Sequence, residues 1–188
     1  MTSTPTPGLT RFNALPDSAA LAALHEVCAS PAWSGKLLSR RPFATLDALL
    51  DASDAATAAL GPSDLTDAMA GHPPIGRPAP GDPVSSREQR GMAGASAELR
   101  AEMLELNLAY QDTFGHVFLI CATGATAERM RDALKARIGN TPERERANVR
   151  TELGKINRIR LTRLAEDLAE DSPAGRDGGT EGEGERRS

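Results

Sequence analysis

Residue types that could move protons or hold a polar ligand cluster in two neighbouring stretches. His72 stands in Gly71-His72-Pro73-Pro74-Ile75-Gly76, and Ser85, Glu88 and Gln89 stand in Ser85-Ser86-Arg87-Glu88-Gln89. An imidazole, with an ordinary pKa of about 6.5, suits general acid or base work at neutral pH. A carboxylate beside it can orient the ring and favour its charged form. Pro73 fixes its own φ, and Pro74 and Gly76 argue against a continuous helix, so the imidazole sits on stiff, irregular backbone. A Gly/Pro loop over 76–83 follows, and Ser85 is then expected to open a helix carrying Glu88 and Gln89 in its first turn. A purely structural account competes. A lone histidine is often a hydrogen-bonded core residue, and Ser85-x-x-Glu88 and Ser86-x-x-Gln89 both read as capping boxes.

The elements that must position these residues read as helices. The chain has 188 residues, enough for one domain with a real core. Only 39% of it is hydrophobic and 3% aromatic, with alanine and leucine supplying most of the apolar content, which favours helices over sheets. A formal charge of -4 argues against nucleic acid as a partner. Cys28 and Cys121 are isolated, so neither a disulfide framework nor a structural zinc site is expected. No run reaches membrane-spanning length and no leader pattern is present, so a reducing, cytoplasmic location is expected.

Residues 1–10 read as a flexible N-terminus, 11–170 as one helical domain, and the Gly- and charge-rich 171–188 as a disordered tail. Asp17 or Ser18, Thr45, and Ser63 or Asp64 are candidate caps, and Thr141-Pro142 is a cap followed by proline at the first helical position. Trp33 and Leu37, four apart, make Trp33 a core anchor. Leu99, Met103, Leu106 and Tyr110 mark the inner face of a long helix. Gly91 and Gly94 signal a short helix with a break or close packing near Ala93-Gly94. Phe114 to Ala122 is apolar and rich in β-branched and aromatic residues, and reads as extended. The fold expected is all-α, a single-domain irregular bundle of about eight or nine helices with one short extended segment.

The last helix holds an anomaly. Leu153, Ile156, Arg160 and Leu164 lie on one face, so Arg160 points where leucines point. A buried guanidinium is costly unless paired. It serves either as half of a buried ion pair or as a planar donor for a carboxylate or carbonyl ligand. The neighbouring Arg144, Arg146, Arg150, Lys155, Arg158 and Arg163 would support a non-catalytic helical binding module, one associated with nucleic acid. The interspersed Glu143, Glu145, Glu152 and Glu166 favour a solvated mixed-charge face instead.

In order, the chain carries His72-Pro73-x-Ile75-Gly76, Ser85-x-x-Glu88-Gln89, Asn107-x-x-Tyr110, Phe114-Gly115-x-x-Phe118 and Lys155-Ile156-x-x-x-Arg160-Leu161. Together, over roughly Leu15 to Leu168, these resemble the 2-oxo-4-hydroxy-4-carboxy-5-ureidoimidazoline (OHCU) decarboxylase family of urate degradation. His116-Val117 departs from the aromatic and proline of many members. The resemblance implies an all-helical homodimer with no metal or organic cofactor, acting on a small molecule and not on nucleic acid or membrane. It implies a lyase of purine catabolism that releases CO2 from OHCU and gives (S)-allantoin. By the same resemblance His72 is the proton donor, with Glu88 beside it. Pro73 (through its backbone), Ser85, Glu88, Gln89, Phe118, Leu119, Ile120, Cys121, Ala122 and Arg160 then line the substrate site. The chemistry suits these residue types. Loss of CO2 leaves an electron pair that the adjacent ring C=N bond can take up, so no cofactor need serve as electron sink. The enol-like product must then gain a proton on one face. Another lyase or a hydrolase of the same pathway on this scaffold is a third reading.

Overall fold

Short polar caps and prolines start most of the helices. In a computed structural model, which describes residues 6–170, these are α1 (Pro7–Ala14), α2 (Asp17–Val27), α3 (Pro31–Leu38), α4 (Leu46–Ala58) and α5 (Pro62–Ala70), then α6 (Pro83–Glu88), α7 (Ala97–Phe114), α8 (Ala127–Arg137) and α9 (Pro142–Glu170). A 3₁₀ turn covers Arg90–Met92. No strand occurs among the described residues. Thr45 Oγ1 accepts the Ala48 N–H at 3.1 Å, and Thr141 and Thr126 cap α9 and α8 in the same way. At α5 the helix begins at Pro62, and the Asp64 carboxylate reaches back to the Gly61 N–H at 3.1 Å. At α2 neither Asp17 nor Ser18 caps; Pro16 precedes the first turn. Residues 7–10, expected in a flexible N-terminus, form the first turn of α1, which packs along α9. Residues 1–5 and the 171–188 tail lie outside the described residues.

Two apolar clusters result. In the larger, α1 to α5 close on α9 around Trp33, Leu24, Leu37, Leu49, Leu153 and Leu161. Trp33 is the anchor expected, fully buried, with its indole N–H on the Ser53 carbonyl at 3.3 Å. In the smaller, α7 and α8 pack with Ile75, Met92, Phe118 and Ala122. The inner face of α7 is Leu99, Met103, Asn107 and Tyr110; Leu106, expected there, only packs at its margin. The close packing expected near Ala93-Gly94 lies instead at Gly91. A Cβ on Gly91 would lie 1.9 Å from the Ala125 carbonyl oxygen, whereas one on Gly94 would meet nothing.

The stretch expected to be extended leaves α7 at Gly115 and runs without a strand partner through residues 117–122. It puts Leu119 into the larger cluster and Phe118 and Ala122 into the smaller. The candidate site lies along this seam. No described helix is long and apolar enough to cross a membrane.

Candidate active site

The His72 loop is built by two amides. After α5 ends at Ala70, the His72 N–H still closes on the Met69 carbonyl at 2.9 Å. A tight turn then brings the Arg77 N–H to the Pro74 carbonyl at 3.0 Å, with Gly76 at φ 86°, where a side chain would strain the backbone. Gln89 clamps this turn from the end of α6: its Oε1 accepts the Gly76 N–H at 2.8 Å and its Nε2 donates to the Pro74 carbonyl at 3.2 Å. Asn107 of α7 donates to the Ile75 carbonyl at 2.9 Å. The imidazole is thereby fixed through its backbone. His72 is only 8% exposed, yet no described residue hydrogen-bonds to its ring, unlike a histidine retained for core structure.

The capping boxes expected at Ser85 and Ser86 do not form. Asp82 caps α6, accepting the Val84 and Ser85 N–H groups at 2.8 and 3.1 Å, and Pro83 takes the first helical position. That is the Thr141-Pro142 signature, so Asp82-Pro83 was there to be read. Ser85 lies one turn inside the helix, buried, and its Oγ accepts the Ala79 N–H at 3.1 Å, tying the preceding loop down. Ser86 Oγ donates to the Asp82 carbonyl at 2.9 Å.

Glu88, freed from capping, faces α9. Arg160 donates from Nε and Nη2 to its two carboxylate oxygens at 2.7 and 2.8 Å, and from Nη1 to the Val27 carbonyl at 3.1 Å. Both side chains are 11% exposed. This is the buried ion pair allowed for at Arg160. Both of its charges also act on His72. Burial, and after it the positive charge of Arg160, lower the His72 pKa from 6.5 to about 4, against the opposing pull of Glu88. Glu88 was expected to orient the ring and favour its charged form. It makes no hydrogen bond to it, and its charge is largely spent on Arg160.

The far wall is the 118–122 segment, held from two sides. Arg137 of α8 donates from Nη1 to the Leu119 carbonyl at 2.9 Å and lies 4.6 Å from the centroid of the Phe118 ring. Arg137 is itself held by Glu145, expected on a solvated face but fully buried. Glu145 also accepts from Tyr110, Asn140 and Asn148. Burial pushes its carboxyl up, but the hydrogen bonds from Arg137, Tyr110 and Asn140 outweigh this and hold it below the usual carboxylate range. On the other side the Cys121 N–H donates to Glu152 of α9 at 2.9 Å. His116, left unassigned by sequence, packs its ring against Phe114 and Tyr110.

His72, Pro73, Ser85, Glu88, Gln89, Phe118, Leu119, Ile120 and Ala122 line one small cavity of about 20 Å³, joined by Ile75, Thr123 and Ile156. Two of the expected residues are not on it. Arg160 stands behind Glu88 and lines a neighbouring hollow with Val27, Val84 and Arg163, and Cys121 is drawn away by Glu152. Among the described residues no group of three or more His, Cys, Asp or Glu side chains could hold a metal. Of the basic residues on α9, Arg158 pairs with Asp54 at 2.5 Å, Lys155 with Glu152 at 2.6 Å, and Arg150 donates to the Leu60 carbonyl.

Fold and site together define an all-helical domain with a small, partly enclosed polar cavity at the seam of two apolar clusters. A sequence model of the family described as OHCU decarboxylase matches residues 13–162, and the chain belongs to that family. It is 30% identical over 150 residues to the Arabidopsis thaliana uric acid degradation bifunctional protein TTL, covering 76% of this chain and 46% of that one. It is 37% identical over 73 residues to the 2-oxo-4-hydroxy-4-carboxy-5-ureidoimidazoline decarboxylase of Amia calva, covering 39% of this chain and 42% of that one. The aligned regions thus span less than half the length of either curated relative. A solved OHCU decarboxylase, crystallised in the presence of (S)-allantoin, superposes with a TM-score of 0.69 at 27% identity, over 81% of this chain and all of the other. A solved (S)-allantoin synthase shares the fold, with a TM-score of 0.63 at 19% identity over 83% of this chain and 53% of that one.

Proposed function

We propose that the protein decarboxylates OHCU to (S)-allantoin, with His72 moving the proton. The observation that carries this is a convergence: in a chain of this family, an imidazole without a ring partner shares one partly enclosed cavity with Ser85, Glu88, Gln89 and the 118–122 backbone. The cavity, at about 20 Å³, holds about one water, so substrate binding widens it.

The low pKa of His72 sets the order of events. The ring enters the cycle neutral, and the incoming substrate carboxylate raises its proton affinity. As the C–C bond to the carboxylate breaks, CO2 leaves and the electron pair passes into the ring C=N bond. The 4-hydroxyl of the enol then loses its proton as the carbonyl of allantoin forms. Neutral His72 is the base placed to accept that proton, and the same imidazole delivers a proton to carbon on the face it occupies. Over the cycle the 4-hydroxyl proton reaches carbon through His72, and the ring nitrogen that received the electron pair takes up one proton from solvent, so that carboxylate plus proton gives allantoin plus CO2.

Arg160 holds Glu88 with two of its five N–H groups and the Val27 carbonyl with a third. The remaining two lie on the neighbouring hollow, not on the cavity, and reach the substrate only as its binding widens the cavity past Glu88. A ring carbonyl on which negative charge grows would gain rate from them, whereas the departing carboxylate would gain only binding. A cytoplasmic homodimer working without metal or organic cofactor completes the proposal. Its test is direct. Urate is supplied with urate oxidase and hydroxyisourate hydrolase, and (S)-allantoin is followed by circular dichroism. A faster appearance of the S-enantiomer signal on adding the protein supports the activity; a trace equal to the spontaneous, racemic decay of OHCU refutes it.

A further inference from the structure

The cavity wall is irregular backbone with no strand partner, yet its geometry is fixed at two points. Arg137 takes the Leu119 carbonyl, and Glu152 takes the Cys121 N–H at 2.9 Å. The anchored Cys121 stands between Ile120 and Ala122, and both of these residues line the cavity. No described residue accepts a hydrogen bond from either N–H. Backbone donors inside a fold are nearly always paired, so two N–H groups with no acceptor among the described residues, in residues that line a cavity, are a place for a ligand oxygen.

We infer that Glu152 is a positioning residue: it aims the Ile120 and Ala122 N–H groups at a substrate carbonyl without touching the substrate. The inference rests on the proposed decarboxylation. Lys155 supports Glu152 through a 2.6 Å ion pair on the next turn of α9. The Arg137–Glu145 pair does the same job from α8, but it is buried and its loss endangers folding. Glu152 is less deeply buried than Glu145, its side chain 16% exposed against 0%, and its ion-pair partner Lys155 is half exposed, so Glu152 is the safer of the two to change in a folded protein.

Two variants separate aim from mere stability. Glu152→Gln keeps an oxygen to accept the Cys121 N–H, whereas Glu152→Ala removes it. Donors that act where charge develops change kcat more than KM, and a shift of about 1 Å in such groups costs about 10²-fold. Glu152→Ala is expected to lose about 10²-fold in kcat with KM within about threefold, and Glu152→Gln to recover most of it. Hydrogen exchange supplies a readout that needs no turnover. The Cys121 amide should be protected in the wild-type protein and in Glu152→Gln, and unprotected in Glu152→Ala. If Cys121 protection survives in Glu152→Ala, or if exchange changes while kcat does not, the positioning role is wrong. A wild-type protein that fails to turn over OHCU, while Cys121 protection behaves as expected, overturns the proposed function instead.

Discussion

Titrating His72 should cost the protein a defined amount of stability. Its pKa is 6.5 in an ordinary setting and about 4 in the folded protein. As pH falls through this window, the unfolded chain takes up the proton first. Stability is therefore lost progressively below about pH 6.5 and the loss levels off below about pH 4. At about 1.4 kcal/mol per unit the full effect is about 3 kcal/mol. The perturbation is His72→Asn, which keeps a polar planar group but removes the titration. Asp82 and Glu145 also have lowered pKa values and lose stability on acidification, but they do so in both proteins and cancel in the difference. Urea unfolding followed by far-UV circular dichroism, at half-unit steps from pH 7 to pH 4, gives that difference directly. Between the ends of this range the wild type should lose about 3 kcal/mol more than His72→Asn. Parallel curves would mean that His72 binds its proton equally in both states. The desolvation argument, and the neutral imidazole it assigns to the resting site, would then fail.

Three further outcomes follow from the same geometry. The acid limb of kcat/KM should fall near pH 4, the value for His72 in the free protein, and His72→Asn should lose at least about 10²-fold in rate; a limb near the unperturbed value of about 6.5 would contradict a neutral resting ring. Glu88→Gln should cost about 3 kcal/mol in urea unfolding because it leaves Arg160 unpaired beside His72, and Glu88→Gln/Arg160→Gln should regain part of it; a Glu88→Gln protein of wild-type stability would demote the pair. Gly91→Ala should be destabilising by about 1–3 kcal/mol through collision with the Ala125 carbonyl, while Gly94→Ala should stay within about 0.5 kcal/mol; equal thermal shifts for the two would remove the close-packing argument.

Much of the frame was legible because its causes are local. Thr45 and Thr141 signal helix starts through a hydroxyl within reach of the N–H three residues on, and the Trp33–Leu37 spacing alone predicts a buried indole. The Gly/Pro punctuation around His72 correctly placed the imidazole between helices. Local signals failed where two of them competed. Asp82-Pro83 and Ser85-x-x-Glu88 are both sound helix starts, two to three residues apart. The choice fell to Asp82 because Glu88 has a partner 72 positions away in Arg160, which no local rule can see. Residues 7–10 were misjudged for a related reason: their helix is short, and its stability comes from the face of α9 on which it lies.

Glu145 shows how far helical periodicity could have been pushed. Leu153, Ile156 and Arg160 share one face of α9. Continued towards the N-terminus in steps of four, it reaches Val149 and then Glu145, both fully buried. Charge patterning argued for solvent, and periodicity argued for burial. Periodicity was right because a buried carboxylate can be stable when enough donors meet it, and Arg137, Tyr110, Asn140 and Asn148 all do. None of those four lies on the helix face that predicts the burial, so the sequence could flag the anomaly without naming its solution. Arg160 and Glu145 sit fifteen residues apart on α9, one behind the His72 side of the cavity and one behind the Arg137 that grips its opposite wall. A single helix thus anchors both walls through buried charges. The last helix can carry many ionisable residues and still form the spine of the core because the two that point inward, Arg160 and Glu145, are both partnered, while Lys155 and Arg158 pair nearer the surface.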